Sequence, residues 1–208
     1  MDKVFKIRCS AIGKIMGASK KAGELSQTCQ TYLREWYAND NEPIHSKYFD
    51  KGNSCENDVI DMMSHVLGLG IAEKNVVSME DDFFTGTCDV ELPNTIVDTK
   101  APWNNKSFLD SITDMDSDYE FQGRGYMRLY NKENFILFYG LVDTPEHVNY
   151  GNEVSFEHLD VNERWIAFSI KRDLVIEASI VQRVIECRAW LEKYDVFVKS
   201  KIGKINEK

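Results

Sequence analysis

The stretch TIVDTKAPW, residues 95 to 103, constrains the fold of this 208-residue chain more than any other. Side chains alternate along a β-strand, so Asp98 and Lys100 share one face with Ile96, while Val97, Thr99 and Ala101 point the other way. A turn at Pro93-Asn94 joins this strand to a preceding one over about 83–91. Any even-length loop there pairs Glu91 with Ile96, Val90 with Val97 and Asp89 with Asp98. Directly opposed residues hold their Cβ atoms ~4.5–5.5 Å apart, and like charges so placed are destabilising. Something cationic should therefore sit between the two aspartates. Lys100 can offset part of the repulsion, and two converging carboxylates are also how a hard, oxygen-seeking ion such as Mg²⁺ is held.

Around this hairpin the hydrophobic period is helical. Leu25, Cys29, Tyr32, Leu33 and Trp36 predict an amphipathic helix over about 25–38, and Val59, Ile60, Met63 and Leu67 another over 54–67, ended by Gly68 and Gly70. Strands are expected at 72–79, 83–91 and 95–101. YEFQGRGYMRLY (119–130) reads as a helix despite two glycines, NFILFYGLV and RWIAFSI as strands, and Asp173 to about Val198 as a long helix burying Ile180, Val184, Cys187, Leu191 and Tyr194. The order predicts an α/β fold, a central mixed β-sheet flanked by helices. Without a repeat or a Pro/Gly-rich linker, residues 1–208 are expected to form a single domain.

Composition narrows the function. A formal charge of −9 argues against binding polyanions over the whole surface. Yet Lys3, Lys6, Arg8, Lys14, Lys20 and Lys21 stand against only Asp2 at one end, and Lys199, Lys201, Lys204 and Lys208 against Glu207 at the other. Basic ends and an acidic middle suit a protein that grips phosphate at one place and metal at another, or one with solvated terminal arms. The five cysteines are scattered, without Cys-x-x-Cys, and read as buried thiols; the four histidines are equally dispersed. The charged opening MDKVFKIRCS and the lack of any ~20-residue apolar run predict an intracellular, cytoplasmic protein.

Three further acids and anion contacts are candidates. Glu56 extends the apolar stripe of its helix and so points toward the sheet, unless it is an acid favoured by the helix N-terminus. Ser10, following Arg8, can cap a short helix over CSAIGKIM, leaving N–H groups and a guanidinium for a terminal phosphate; an ordinary cap beside a surface arginine is the alternative. DMDSDYEF (114–121) lacks the glycine and glutamate of a calcium loop and is expected to be a solvated loop. GRG (123–125) is too short to cradle a nucleotide, and Trp103 is either a stacking surface or a core residue.

A helix with Glu56, then "GTCD" with Asp89, then "DTK" with Asp98, Thr99 and Lys100, then "FQGRGYM" with Gln122 and Tyr126 resembles the PD-(D/E)XK nuclease superfamily, and within it the lambda-type exonucleases of viral recombination. Cys88 stands where a proline is usual, and Asp98 where many relatives carry glutamate. The resemblance implies a restriction-endonuclease-like core and a metal-dependent exonuclease that digests linear double-stranded DNA from 5′ to 3′. It implies Mg²⁺, with Mn²⁺ as a substitute, on Asp89, Asp98, Glu56 and the Thr99 carbonyl. Lys100 would orient the attacking water and lower its pKa, or stabilise the phosphorane; Gln122 would position the water or Lys100; and Arg8 and Ser10 would hold the 5′-phosphate. It also implies a homotrimeric ring and a single-strand annealing partner. A structure-specific endonuclease such as a junction resolvase, or a nuclease-fold protein that only binds DNA, are the alternatives.

Overall fold

The structure is a computed structural model that describes residues 3–39, 46–151 and 155–203; Asp2, His45, Lys204, Glu207 and Lys208 lie outside them. The chain opens with β1 (Ile7–Arg8), a 3₁₀ turn at Cys9–Ala11 and the short helix α1 (Ile12–Met16). Helix α2 (Gln27–Ala38) starts where Ser26 Oγ accepts the Cys29 N–H at 3.2 Å, and it stops at Asn39, whose φ of 54° is left-handed. Helix α3 (Lys47–Val66) begins at Lys47 rather than at 54, capped by Ser46. Its buried stripe runs Lys51, Cys55, Val59, so the stem of a lysine carries the apolar face one turn further back than hydrophobic periodicity alone discloses.

Four strands form the main sheet in the order β4 (Val90–Glu91), β5 (Thr95–Lys100), β6 (Asn134–Gly140), β7 (Trp165–Lys171). β5 and β6 are parallel, joined through α4 (Asn105–Leu109) and α5 (Ser117–Leu129), and the outer pairs are antiparallel. The alternation read along β5 holds. Ile96 enters the core under α1, α2, α5 and the final helix α6 (Leu174–Lys201), while Val97 enters a second core with Cys55, Val59, Ile60 and Met63 of α3. The sheet is thus mixed and covered by helices on both faces. α6 is capped by Asp173 and buries Ile180, Val184, Cys187 and Leu191, with Tyr194 only half-buried.

Several expectations need correction. Residues 72–79 are not a strand; only β2 (Met79–Glu80) pairs, with β3 (Phe84–Gly86), in a separate small sheet ordered β1-β3-β2. The strand expected at 83–91 is broken. β3 belongs to the small sheet, β4 to the main one, and Thr87, Cys88 and Asp89 cross between them. Side chains from elsewhere take over the backbone there: Asn75 Nδ2 donates to the Cys88 carbonyl at 3.1 Å, and Tyr130 Oη accepts the Cys88 N–H at 3.3 Å. The proposed acidic loop is half helix, because Asp116 accepts the Asp118 N–H and starts α5.

The two glycines of α5 permit close approach. A Cβ on Gly123 would stand 2.3 Å from Cδ1 of Phe135 in β6, and one on Gly125 would stand 2.5 Å from Ile12 Cδ1. Helix α5 therefore lies against both β6 and α1. All five cysteines are free and buried, and no described helix is long and apolar enough to cross a membrane.

Candidate active site

The strand register places the first acid. Val90 pairs with Val97 and Glu91 with Ile96, as the hairpin predicts, but the ladder stops one residue short of Asp89. Freed from it, Asp89 turns its carboxylate to the strand edge, where Oδ2 accepts the Thr99 N–H at 2.6 Å and the Thr99 hydroxyl at 2.9 Å. Thr99 is buried, so its amide and hydroxyl need those bonds. Asp89 is therefore held by β5 without standing directly across a ladder from Asp98.

Asp98 is 2% exposed and fully engaged. Its Oδ1 accepts Gln122 Nε2 at 2.9 Å, and its Oδ2 pairs with the Lys100 ammonium, which also donates to the Thr99 carbonyl at 3.3 Å. Gln122 donates in addition to Tyr126 Oη at 3.2 Å. Burial pushes the Asp98 carboxyl up to about 6, with the charges of Asp89 and Glu56 adding to the rise and Lys100 opposing it. For Lys100 burial acts against the ammonium, but Asp98 and Asp89 outweigh it and leave the group firmly cationic.

Glu56 lies well inside α3, so the helix-terminus explanation for it fails. It lines the same cavity of about 850 Å³ as Asp89, Asp98, Thr99, Lys100 and Gln122. Its carboxylate, though, is turned to Lys74, 2.8 Å away. Among the described residues no three His, Cys, Asp or Glu side chains are gathered as a metal cage. The reason is local: each acid answers to a different protein donor. The donor set nonetheless suits a hard divalent cation, since the available groups are carboxylate and carbonyl oxygens. Two of them, Asp98 Oδ2 and the Thr99 carbonyl, already converge on a positive charge, that of Lys100.

Arg8 and Ser10 are exposed and absent from the cavity lining. Ser10 does not cap a helix; it lies within the 3₁₀ turn, Arg8 takes the capping position, and neither side chain makes a cap bond. Trp103 is buried, with its ring edge-on to Tyr48 at 6.1 Å, although it also lines the cavity. Sequence reasoning missed Lys74, which no spacing links to Glu56. It also missed Tyr119, which stands one turn before Gln122 on α5; that i, i+3 spacing was the available signal.

No family model matches the chain, and no curated protein matches it. Solved structures do. A phage-related exonuclease from Haemophilus somnus 129PT superposes with a TM-score of 0.81 at 25% identity, over 94% of this chain and 97% of that one. The chain has an exonuclease fold. An alkaline exonuclease from Laribacter hongkongensis gives a TM-score of 0.70 at 17% identity over 94% and 92% of the two chains, and its complex with dAMP gives 0.71. At that identity the second likeness concerns the fold alone.

Proposed function

We propose that the protein is a metal-dependent exonuclease that hydrolyses phosphodiester bonds at the ends of linear double-stranded DNA, from 5′ to 3′. One observation carries the reading: Asp89, Asp98, Lys100 and Gln122 converge on one cavity at the end of β5, in a chain with an exonuclease fold. A Mg²⁺ or Mn²⁺ ion bound there would relieve charge on the phosphate and make a water molecule more acidic. Asp89, Asp98 and the Thr99 carbonyl would hold it, and Glu56 would join them by releasing Lys74.

The chain's own groups supply the rest. Lys100, kept cationic by its acidic neighbours, is placed to orient a water or to stabilise charge that builds on the phosphate oxygens. Gln122 fixes the Asp98 carboxylate through Oδ1, leaving Oδ2 as the atom facing a cation. Arg8 and Ser10 contribute a surface contact for a 5′-phosphate. On this reading the whole chain acts as one nuclease domain, assembles as a homotrimeric ring and supplies single strand to an annealing partner during phage-type recombination.

Linear duplexes labelled separately at each end, with Mg²⁺ and in EDTA, test the proposal, with Lys100→Ala as the negative control. Metal-dependent release of 5′ nucleotides by the wild type is expected, with turnover lowered ~10²–10⁴-fold in Lys100→Ala while DNA binding persists. Cleavage of closed circles or of junctions would instead favour the structure-specific endonuclease, and binding without cleavage would favour a non-catalytic protein.

A further inference from the structure

We propose that Tyr119 is a positioning residue whose aromatic face holds the Lys100 ammonium at the reacting end of the cavity; the inference rests on the nuclease reading given above. Helix α5 crosses the face of β5 that carries Asp98 and Lys100. Gln122 meets Asp98, and Tyr119, one turn earlier on the same helix face, meets Lys100, with Nζ 4.9 Å from the ring centroid. That distance is within the ~6 Å at which a cation is attracted by an aromatic quadrupole. The ring is itself fixed. It packs edge-on to Tyr139 at 6.4 Å, Tyr139 is the β6 residue paired with Lys100, and Tyr139 in turn packs edge-on to Phe168 of β7 at 6.2 Å. Sheet and helix thus set the position of the ring from both sides.

The chemistry of the contact explains why a ring is useful here. The ammonium already donates to Asp98 and to the Thr99 carbonyl. A third oxygen would compete for its protons or draw it deeper toward the acids. An aromatic face attracts the charge without accepting a proton, so it can hold the group sideways while its N–H bonds remain available to water or phosphate. The Tyr119 hydroxyl is not required for this. Tyr119 also lines the cavity and is only half-buried, unlike the core aromatics of β6.

The test replaces the ring at constant shape. Tyr119→Phe should retain wild-type kcat on linear duplex DNA, Tyr119→Leu should lose about tenfold in kcat with KM little changed, and phenylalanines bearing one to three ring fluorines at 119 should lower kcat stepwise. A factor of ten corresponds to ~1.4 kcal/mol, within the range of a partly desolvated cation–aromatic contact. Fluorination leaves the volume nearly unchanged, so a purely packing role predicts no trend in kcat; thermal melts of the same proteins check that the fold is equal. Equal activity across the fluorinated series, or a Tyr119→Phe protein as slow as Tyr119→Leu, would overturn the proposal. A readout independent of turnover separates it from the nuclease reading. In wild type the Lys100 ε-methylene protons should show an upfield ring-current shift that Tyr119→Leu abolishes. An active wild type without that shift sinks the positioning role alone, whereas a wild type inactive on every linear duplex sinks the nuclease reading and any catalytic role for Tyr119 with it.

Discussion

Replacing Gly123 by alanine should destabilise the protein, although the same change at Gly52 should stabilise it. Both glycines sit inside α-helices, where alanine is favoured by ~1 kcal/mol because glycine loses more backbone freedom on folding. At Gly52 an added methyl meets nothing within 4 Å, so that gain should appear undiminished. At Gly123 the methyl would stand 2.3 Å from Phe135 Cδ1 and 2.5 Å from two more atoms of the same ring. Carbon atoms approach comfortably to ~3.5–4.0 Å, so helix and sheet must separate by more than ~1 Å. Phe135 is fully buried and cannot swing aside. Overpacking of this kind costs ~1–3 kcal/mol or more and outweighs the helix gain. For a chain of this length the result is a melting temperature lower by several degrees for Gly123→Ala, and one higher by ~2–4 °C for Gly52→Ala. Thermal scans of the two variants beside the wild type decide the matter. Cleavage by Gly123→Ala should also slow, because Gln122 and Tyr119 ride on the displaced helix. A Gly123→Ala protein as stable as wild type would refute the argument that glycine is there for close approach.

Two other perturbations have defined outcomes. Arg8→Ala should slow digestion of 5′-phosphorylated ends more than of 5′-hydroxyl ends, since a charge-assisted contact is worth ~1.5–3 kcal/mol; an equal loss on both would make Arg8 a general backbone contact. Lys51 is fully buried, with Nζ donating to the Val142 carbonyl at 2.9 Å, and burial lowers its pKa to about 8. The unfolded chain then binds the proton more tightly, so the penalty is fully present below pH 8 and is relieved as pH rises toward ~10.5. Between those values the stability of wild type relative to Lys51→Met should rise, and parallel unfolding curves measured at both pH values would contradict it.

Much of this was written into short stretches of sequence. The opposite destinations of Ile96 and Val97 follow from strand alternation, and the pairing of Val90 with Val97 follows from the turn alone. The break at Asp89 does not, because it depends on Asn75 and Tyr130, which reach Cys88 from distant parts of the chain. Glu56 was legible as an inward acid, but its attachment to Lys74 is tertiary. Ser10 misled for a different reason: serine before an apolar run signals a cap, yet the turn had already begun at Cys9. Apart from Ser10, and from Gln122, whose place beside the acids came from the family resemblance, residues whose partners are near in sequence could be read, and those whose partners arrive by folding could not.

The place of Lys100 between Asp98 and the Thr99 carbonyl has a consequence for how such a protein is made. A cluster of acids that depended on an outside ion for neutrality would leave the newly synthesised chain unfinished until the ion arrived. Here the strand that brings in Asp98 also brings in its counterion, two residues on, so the centre can fold as β5 docks before any ion binds. Chelation should then silence the protein and leave it folded, and activity should return on adding metal without any renewed folding.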